Sequence, residues 1–297
     1  MCLIVLGWRL QDDTPLIVAA NRDEFHNRPT AGMDFWQDAP HVLAGRDLQA
    51  GGSWMGVVRD GRFAALTNFR EPSAQRSDAR SRGGLVAGFL VGDMNARDYA
   101  RHTCHEAAAC NGFNLLLCDG ETLVWVGYRR GGEAQWHALE PGIHALSNHL
   151  PGTPWPKLLR ARDGFARALA QRDAAARKRV LFDVLRDDTP AADADLPDTG
   201  VGIERERRLS PVFIADDEYG TRSSTVLTVG NACIDAEEHR FGPGGKSDGA
   251  SQFTFRRERT IAHGRLSSLK PECRQHADTE PDIVPPTTCP AAGSRSQ

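Results

Sequence analysis

The sequence predicts an α+β protein in which two antiparallel sheets are covered by helices. Short apolar runs come in pairs joined by turn residues, which is the pattern of β-hairpins. Helical segments fall in groups between those pairs, as expected when helices cover antiparallel sheets. A doubly wound parallel sheet needs strands and helices in regular alternation, and the sequence lacks that alternation.

The first predicted hairpin brings residue 2 next to residues 22–24. Cys2–Trp8 and Leu16–Ala20 are apolar, β-prone runs, and turn-forming residues 11–15 separate them. In an antiparallel hairpin centred near residue 12 or 13, position 2 pairs with a position between 22 and 24. A register slip of one residue would change which side chains face Cys2.

The later segments continue this arrangement of hairpins and helices. Asp60-Gly61 and Asp119-Gly120 predict two hairpin tips. Strands are predicted at 57–59, 63–68, 112–118, 122–128, 144–147, 225–230 and 251–256. Helices are predicted at 81–92, 96–109, 156–170 and 174–185. Residues 203–214 have a less regular pattern, and the Asp-, Ala- and Pro-rich residues 187–200 predict a loop.

The chain is predicted to form one domain with a tail. Its length of 297 residues, with 40% hydrophobic and 25% charged residues, is typical of a globular protein. Hydrophobic periodicity ends near residue 262, and the last residues are rich in Pro, Thr, Ser and Ala. We therefore expect a single domain over residues 1–262 and a disordered tail over 263–297.

Composition excludes several classes of function. The net charge of −3, with arginines scattered among acids, does not fit a nucleic-acid binder. Apolar runs are too short for a membrane span, and the N-terminus lacks the features of a secretory signal, so a cytoplasmic location is expected. The sequence has no CxxC or CxxCH motif, so we expect no metal and no required cofactor. The expected partner is a small-molecule substrate or ligand.

Cys2 is the first candidate for chemistry, because it follows the initiator methionine. After removal of Met1, the thiol and a free α-amine would share one residue, which combines a nucleophile with a base. The alternative is that Cys2 is a small buried apolar residue of the first strand.

The tetrapeptide Asn21-Arg22-Asp23-Glu24 after an apolar strand, with Cys2 in front, resembles the NRDE family, also called the transport and Golgi organisation family. The similarity extends in order through residues 1–230. Further matching segments are Ala44–Leu48, Gly51–Val57, Ala64–Asn68, Ser81–Gly83, Gly112–Leu115, Leu146–Asn148 and Tyr219–Thr225. This family is placed with the N-terminal nucleophile hydrolases, so the resemblance implies a four-layer αββα sandwich.

A more distant similarity to bile-salt and penicillin-V amidases, which also begin Met-Cys, implies catalytic roles. By this resemblance Asp23 holds the N-terminal amine, Asn68 is an oxyanion donor, and Asn148 is a second polar anchor. Arg222 resembles a late arginine of those amidases. Asn148 also precedes His149-Leu150-Pro151-Gly152, so a turn role is the alternative for it.

One position departs from the amidase pattern. Those enzymes carry an arginine where this chain has Ala20. Arg22 either supplies the missing charge or points elsewhere. Asn21, Arg22, Glu24 and Arg46 are the candidate substrate contacts. The alternatives are a capping role for Asn21 and a structural ion pair for Arg46.

These residues predict a hydrolase of a linear or cyclic amide that uses Cys2 as an N-terminal nucleophile. The alternative implied by the NRDE resemblance is a non-enzymatic protein that handles haem, lipid or acyl-CoA in the same pocket. In that case haem would be a ligand rather than a cofactor. A third interpretation is a fold that has lost catalysis, for which Ala20 is the best support.

Overall fold

Hairpins organise the sheets of the computed structural model, which describes residues 2–258. Within that range the first sheet has the strand order β10-β1-β2-β11-β12-β13 and is antiparallel throughout. Its strands are β1 (Cys2–Trp8), β2 (Leu16–Phe25), β10 (Gly142–Leu146), β11 (Tyr219–Val229), β12 (Cys233–Phe241) and β13 (Ser247–Arg256).

The second sheet is also antiparallel and follows chain order from β3 to β9. Its strands are β3 (Thr30–Trp36), β4 (Ala39–Asp47), β5 (Met55–Val58), β6 (Phe63–Asn68), β7 (Phe113–Cys118), β8 (Leu123–Tyr128) and β9 (Gln135–Ala138).

Helices cover the outer face of each sheet. They are α1 (Gly83–Val91), α2 (Ala96–Glu106), α3 (Pro156–Leu169), α4 (Ala174–Leu185) and a short α5 (Ile203–Arg208). Helix α2 begins at the N-cap Asn95, whose side chain accepts a hydrogen bond from the Asp98 amide, and Asp173 caps α4 in the same way. Pro156 occupies the first turn of α3, where its missing N–H costs nothing.

Three apolar clusters hold four layers together. One packs α1 and α2 on the β3–β9 sheet, one fills the space between the sheets, and one packs α3 and α4 on the other sheet. Alternation along β1 separates the last two clusters: Ile4 and Leu6 face the opposite sheet, whereas Leu3 and Val5 face the helices. The fold is therefore the expected four-layer αββα sandwich of two antiparallel sheets.

The structure confirms the predicted first hairpin, because Cys2 in β1 is the register partner of Arg22 in β2. Four strands were not predicted, namely β3, β4, β9 and β12. The described part of the predicted domain ends at residue 258, and the predicted tail lies outside the described residues. None of the helices between residues 2 and 258 combines the length and apolar character that a membrane span requires.

Candidate active site around Cys2

A pocket of about 370 Å³ opens at the end of the sandwich where β1 begins and β2 ends. Its walls come from both sheets and from the segment that leads into α1. The residues that line it are mainly polar: Cys2, Arg22, Asp23, Glu24, Arg28, Asp47, Gln49, Ser53, Trp54, Leu66, Asn68, Ser77, Ala79, Arg80, Ser81, Arg82, Gly83 and Asn111. The pocket therefore combines a cysteine with several guanidinium, carboxylate and amide groups.

Cys2 and Arg22 lie on the same face of the sheet, because directly paired residues of antiparallel strands share a face. Residues two apart in a strand also share a face, so Arg22 lies on the same side as Ala20. Burial raises the pKa of the Cys2 thiol, the charge of Asp23 acts in the same direction, and Arg22 opposes both. The structure thus places Arg22 where it favours the thiolate.

Asp23 is buried where β2 meets β11. Its Oδ1 accepts a hydrogen bond from Thr221 Oγ1 at 2.8 Å, and its backbone oxygen accepts one from the Tyr219 hydroxyl at 3.0 Å. Burial raises the pKa of the Asp23 carboxyl, while Lys157, the Thr221 hydrogen bond and Arg70 oppose the increase. The carboxylate is thereby fixed beside the first residue of β1.

Buried charges lie behind Asp23. Arg70 and Glu206 form an ion pair at 2.6 Å, and their side chains are only 5% and 3% exposed. Lys157, on α3, donates a hydrogen bond to the Leu209 backbone oxygen at 3.2 Å. Burial lowers the pKa of Lys157 to about 8, and Arg70 adds to this effect. Arg70, Glu206 and Lys157 therefore form a buried group of charges next to Asp23, on the side of the sheet that faces the helices.

Asn68 lies at the end of β6 and lines the pocket. Asn148 contacts the backbone of Asn68. The Asn148 side-chain amide donates to the Asn68 backbone oxygen at 2.9 Å. The Ser147 hydroxyl donates to the Cys2 backbone oxygen at 3.0 Å and lies 3.1 Å from Asn148 Oδ1. Ser147 and Asn148 therefore connect the strand of the cysteine to the strand of Asn68. Asn148 itself does not line the pocket.

Besides Asn148, three of the sequence-predicted residues lie outside the pocket. The Asn21 amide donates to the backbone oxygens of Leu185 and Val212, which ties β2 to the helical layer. Arg46 pairs with Asp38 at 2.5 Å. These contacts match the structural alternatives considered for Asn21 and Arg46.

Arg222 is the third of these residues. Its guanidinium donates to the backbone oxygen of Phe25 at 2.8 Å and to that of Arg28 at 3.2 Å. Arg222 therefore connects both ends of the turn that follows β2 through hydrogen bonds. Glu24, in contrast, lines the pocket together with Asp23, as its position two residues after Arg22 implies.

Two glycines shape the pocket walls by close approach. A Cβ on Gly45 would come within 2.2 Å of the Trp54 ring, so only glycine lets the indole lie flat against β4. The Arg22 guanidinium stacks on this ring at 4.2 Å. A Cβ on Gly52 would lie 2.4 Å from the Gly83 carbonyl carbon, so glycine there lets the start of α1 close the wall.

Sequence reasoning missed Arg82 and Lys157. Arg82 immediately precedes α1, and its guanidinium donates to the Gly112 backbone oxygen at 3.1 Å. The signal for Lys157 was available, because Lys157, Ala161 and Ala168 fall on one helical stripe. A lysine on a buried stripe indicates a partner in the core. No local pattern predicted the pairing of Arg70 with Glu206.

Within residues 2–258, no group of three or more His, Cys, Asp and Glu side chains is arranged to hold a metal ion. The pocket offers instead a buried thiol, an amide side chain at Asn68, and cationic and anionic side chains. Such a set can perform nucleophilic attack on a carbonyl group when a base is present.

The described residues define a four-layer αββα protein with a cysteine at the start of its first strand. The family model for "Transport and Golgi organisation 2" matches residues 1–237. The chain is 37% identical over 229 residues to the Transport and Golgi organization 2 homolog of Mus musculus, across 72% of this chain and 82% of the mouse protein. It therefore belongs to the Transport and Golgi organisation 2 family.

The chain is also similar to other relatives and to solved structures. The Homo sapiens homolog is 36% identical over 239 residues, which cover 75% of this chain and 83% of that protein. The Caenorhabditis elegans N-acylethanolamine-hydrolyzing acid amidase ortholog is 11% identical with a TM-score of 0.45, over 76% of this chain and 92% of its own. The C2A mutant of conjugated bile acid hydrolase from Clostridium perfringens is 9% identical with a TM-score of 0.45, over 89% and 99%.

Proposed function

We propose that this protein hydrolyses the C–N bond of a linear or cyclic amide, with Cys2 as an N-terminal nucleophile after removal of Met1. The observation that carries the proposal is the position of the Cys2 thiol. It lies in a 370 Å³ polar pocket together with Arg22, Asp23 and Asn68. A cysteine that served only as a core residue would not need these polar neighbours.

The first half of the reaction acylates the enzyme. Because burial raises the pKa of the Cys2 thiol, the thiol is protonated near neutral pH and needs a base. The α-amine of the processed residue takes the thiol proton, and the thiolate sulfur attacks the carbonyl carbon. The C–N bond then breaks, the amine product takes the proton back from the ammonium group, and an acyl thioester remains on Cys2.

The second half of the reaction returns the enzyme to its starting state. Water attacks the thioester carbonyl and transfers a proton to the α-amine. The C–S bond breaks, the carboxylic acid leaves, and the thiolate recovers its proton. The same amine therefore acts as base and acid in turn, and no other co-reactant than water is needed.

Neighbouring residues divide the remaining tasks. Asp23 orients the α-amine, and Arg22 stabilises the thiolate by its charge. The Asn68 amide donates to the oxyanion of each tetrahedral intermediate. Loss of one such donor costs about 3–4 kcal/mol of transition-state stabilisation in enzymes of this kind. Asn148 acts through Asn68, because it holds the Asn68 backbone.

The test uses the full chain and a panel of amides: the p-nitroanilides of acetate, octanoate and phenylacetate, and the cyclic amide ε-caprolactam. Release of p-nitroaniline is followed by absorbance, and opening of the lactam by mass spectrometry. We expect turnover of at least one compound and none in Cys2→Ala. Cys104→Ala is the matched control, since Cys104 lies on α2 outside the pocket.

Two results would contradict the proposal. One is turnover that Cys2→Ala retains. The other is an absence of turnover across the panel. The non-enzymatic alternative predicts the second result together with binding of haem or acyl-CoA that is unchanged in Cys2→Ala, so titration of both ligands completes the experiment.

A further inference from the structure

We propose that Arg22 and Arg82 form a binding site for one carboxylate of the substrate, so that the protein acts on amides that carry a carboxylate close to the scissile bond. This inference rests on the proposed function, because it specifies the substrate class of the same pocket. It stands on two guanidinium groups of the pocket, neither of which makes an ion pair with an acidic side chain among the described residues.

Arg22 is a buried cation whose direct contacts are neutral. The carboxylate of Glu238 interacts with it at longer range and lies closer to Arg240, at 3.8 Å. The Arg22 side chain is only 5% exposed, stacks on the Trp54 ring at 4.2 Å and donates to Thr30 Oγ1 at 3.3 Å. Within residues 2–258 it makes no ion pair with an acidic side chain. A buried charge is costly unless an opposite charge neutralises it. Gly45 and Trp54 nonetheless fix this guanidinium at the pocket wall.

Arg82 is the second such cation. Burial lowers its pKa, and its guanidinium donates to the backbone oxygen of Gly112 at 3.1 Å. It too makes no ion pair with an acidic side chain in the described part of the chain. Both Arg22 and Arg82 lie close enough to Cys2 for their charges to interact with the thiolate. An anion held between them would therefore lie near the reacting sulfur.

The other two arginines of the pocket are already neutralised. Arg28 pairs with Asp47 at 2.7 Å, and Arg80 pairs with Glu106 at 2.9 Å. These pairs leave their guanidinium groups little capacity for a ligand. Carboxylate partners are thus present for Arg28 and Arg80 and not, among the described residues, for Arg22 and Arg82.

The remaining charges favour a single negative charge on the ligand. Asp23 faces Lys157 and Arg70 on the outer side of the sheet, and its charge is offset there. Glu24 lines the pocket and interacts with Arg82 at longer range. The charge of Glu238 is balanced by Arg240, so Arg22 and Arg82 together with Glu24 leave an excess of one positive charge. A carboxylate satisfies it and matches the planar fork of a guanidinium, whereas a dianionic phosphate would exceed it.

The experiment measures binding in Cys2→Ala, which removes both turnover and any effect of the arginines on the thiol. The probes are three acid and amide pairs of equal shape: the N-acetyl, N-octanoyl and N-phenylacetyl derivatives of glycine and of glycinamide. Calorimetry gives the dissociation constants. We expect at least one acid to bind about 10- to 100-fold more tightly than its glycinamide, the range for a charge-assisted hydrogen bond.

Three further variants in the Cys2→Ala background test the assignment. Arg82→Gln and Arg22→Gln should each remove most of the preference for the acid and leave glycinamide binding within about threefold. Arg82→Lys should restore part of it, because lysine keeps the charge without the fork. Arg101→Gln is the control, since Arg101 pairs with Asp98 on α2 outside the pocket. Thermal melts check that each variant is folded. If Arg22→Gln does not fold, the binding measurements on Arg82→Gln decide the inference.

Two outcomes overturn the inference: no acid binds more tightly than its glycinamide, or Arg82→Gln weakens both members of a pair equally. Failure of the proposed function is distinguishable. If Cys2→Ala binds an acid selectively but the wild type releases no acetate, octanoate or phenylacetate from the corresponding N-acylglycine, the carboxylate site stands and hydrolysis does not.

Discussion

Glu206→Gln tests the buried charge group behind the pocket. Glu206 Oε2 lies 2.6 Å from Arg70 Nη1, and its Oε1 accepts hydrogen bonds from the Thr199 amide at 2.9 Å and the Thr199 hydroxyl at 2.5 Å. Glutamine is close in shape and keeps one oxygen as an acceptor. It removes the negative charge and directs an amide N–H₂ group toward either Thr199 or Arg70.

The expected loss of stability follows from this geometry. Both charges of the pair are almost fully buried, so the remaining guanidinium loses a counter-ion that water cannot replace. Removal of one partner from a buried ion pair costs about 3–5 kcal/mol. With a urea m-value of about 3 kcal/mol/M, the unfolding midpoint should fall by about 1–2 M.

Urea denaturation followed by tryptophan fluorescence measures this loss. Glu204→Gln is a matched control on the same helix, because Glu204 pairs with Arg207 but its side chain is 83% exposed. An exposed pair contributes about 0–1 kcal/mol, so the control should remain close to the wild type. Equal midpoints for Glu206→Gln and Glu204→Gln would refute the reasoning that burial makes the Arg70–Glu206 pair important.

Three further predictions concern the same region. Between about pH 8 and pH 10.5, the free energy of unfolding of the wild type should rise by about 3 kcal/mol relative to that of Lys157→Met. The reason is that Lys157 still holds its proton in the unfolded chain at a pH where the folded chain has released it. Urea titrations at four pH values measure this difference, and parallel plots of unfolding free energy against pH for the two proteins would contradict it. Arg22→Gln should slow the reaction of Cys2 with iodoacetamide at pH 8, because loss of the cation raises the thiol pKa further; peptide mass mapping gives the rate, and an unchanged rate would remove Arg22 from thiolate stabilisation. Asn148→Ala should lower kcat by about 10- to 100-fold with little change in KM, because Asn68 loses its anchor; steady-state kinetics on the active amide test this, and a change in KM alone would indicate a binding role.

Local sequence signals predicted most of the fold. Alternating apolar residues and Asp-Gly turns located the hairpins, and the helical pattern of Ala174–Leu185 matched α4 at both ends. The unpredicted strands have a physical explanation. The β3–β4 pairing contains register shifts that interrupt the two-residue period. In strand β12 the buried positions alternate as Ile234, Ala236 and Glu238. Because a charged residue occupies one of them, the apolar–polar alternation that indicates a strand is interrupted.

The candidate site was predictable where it depends on a hairpin. Turn position alone placed Cys2 opposite residues 22–24, and the observed partner Arg22 lies at one end of that range. Residues that reach the pocket from distant segments were not predictable in this way. Arg82 arrives through the close approach of α1 to Gly52, and Lys157 arrives through the packing of α3. Resemblance to amidases suggested Arg222, whereas the structure places its guanidinium against the turn after β2.

The most direct test of the central claim is mass spectrometry of the N-terminal peptide after rapid acid quench of the wild-type chain with its best amide substrate. We expect a peptide that begins at Cys2, without Met1, and that carries the acyl group on the thiol as a thioester. Cleavage of the adduct by hydroxylamine confirms the thioester. Retention of Met1 in active protein, or an acyl group on Cys104, Cys110 or Cys118 instead, would contradict the account.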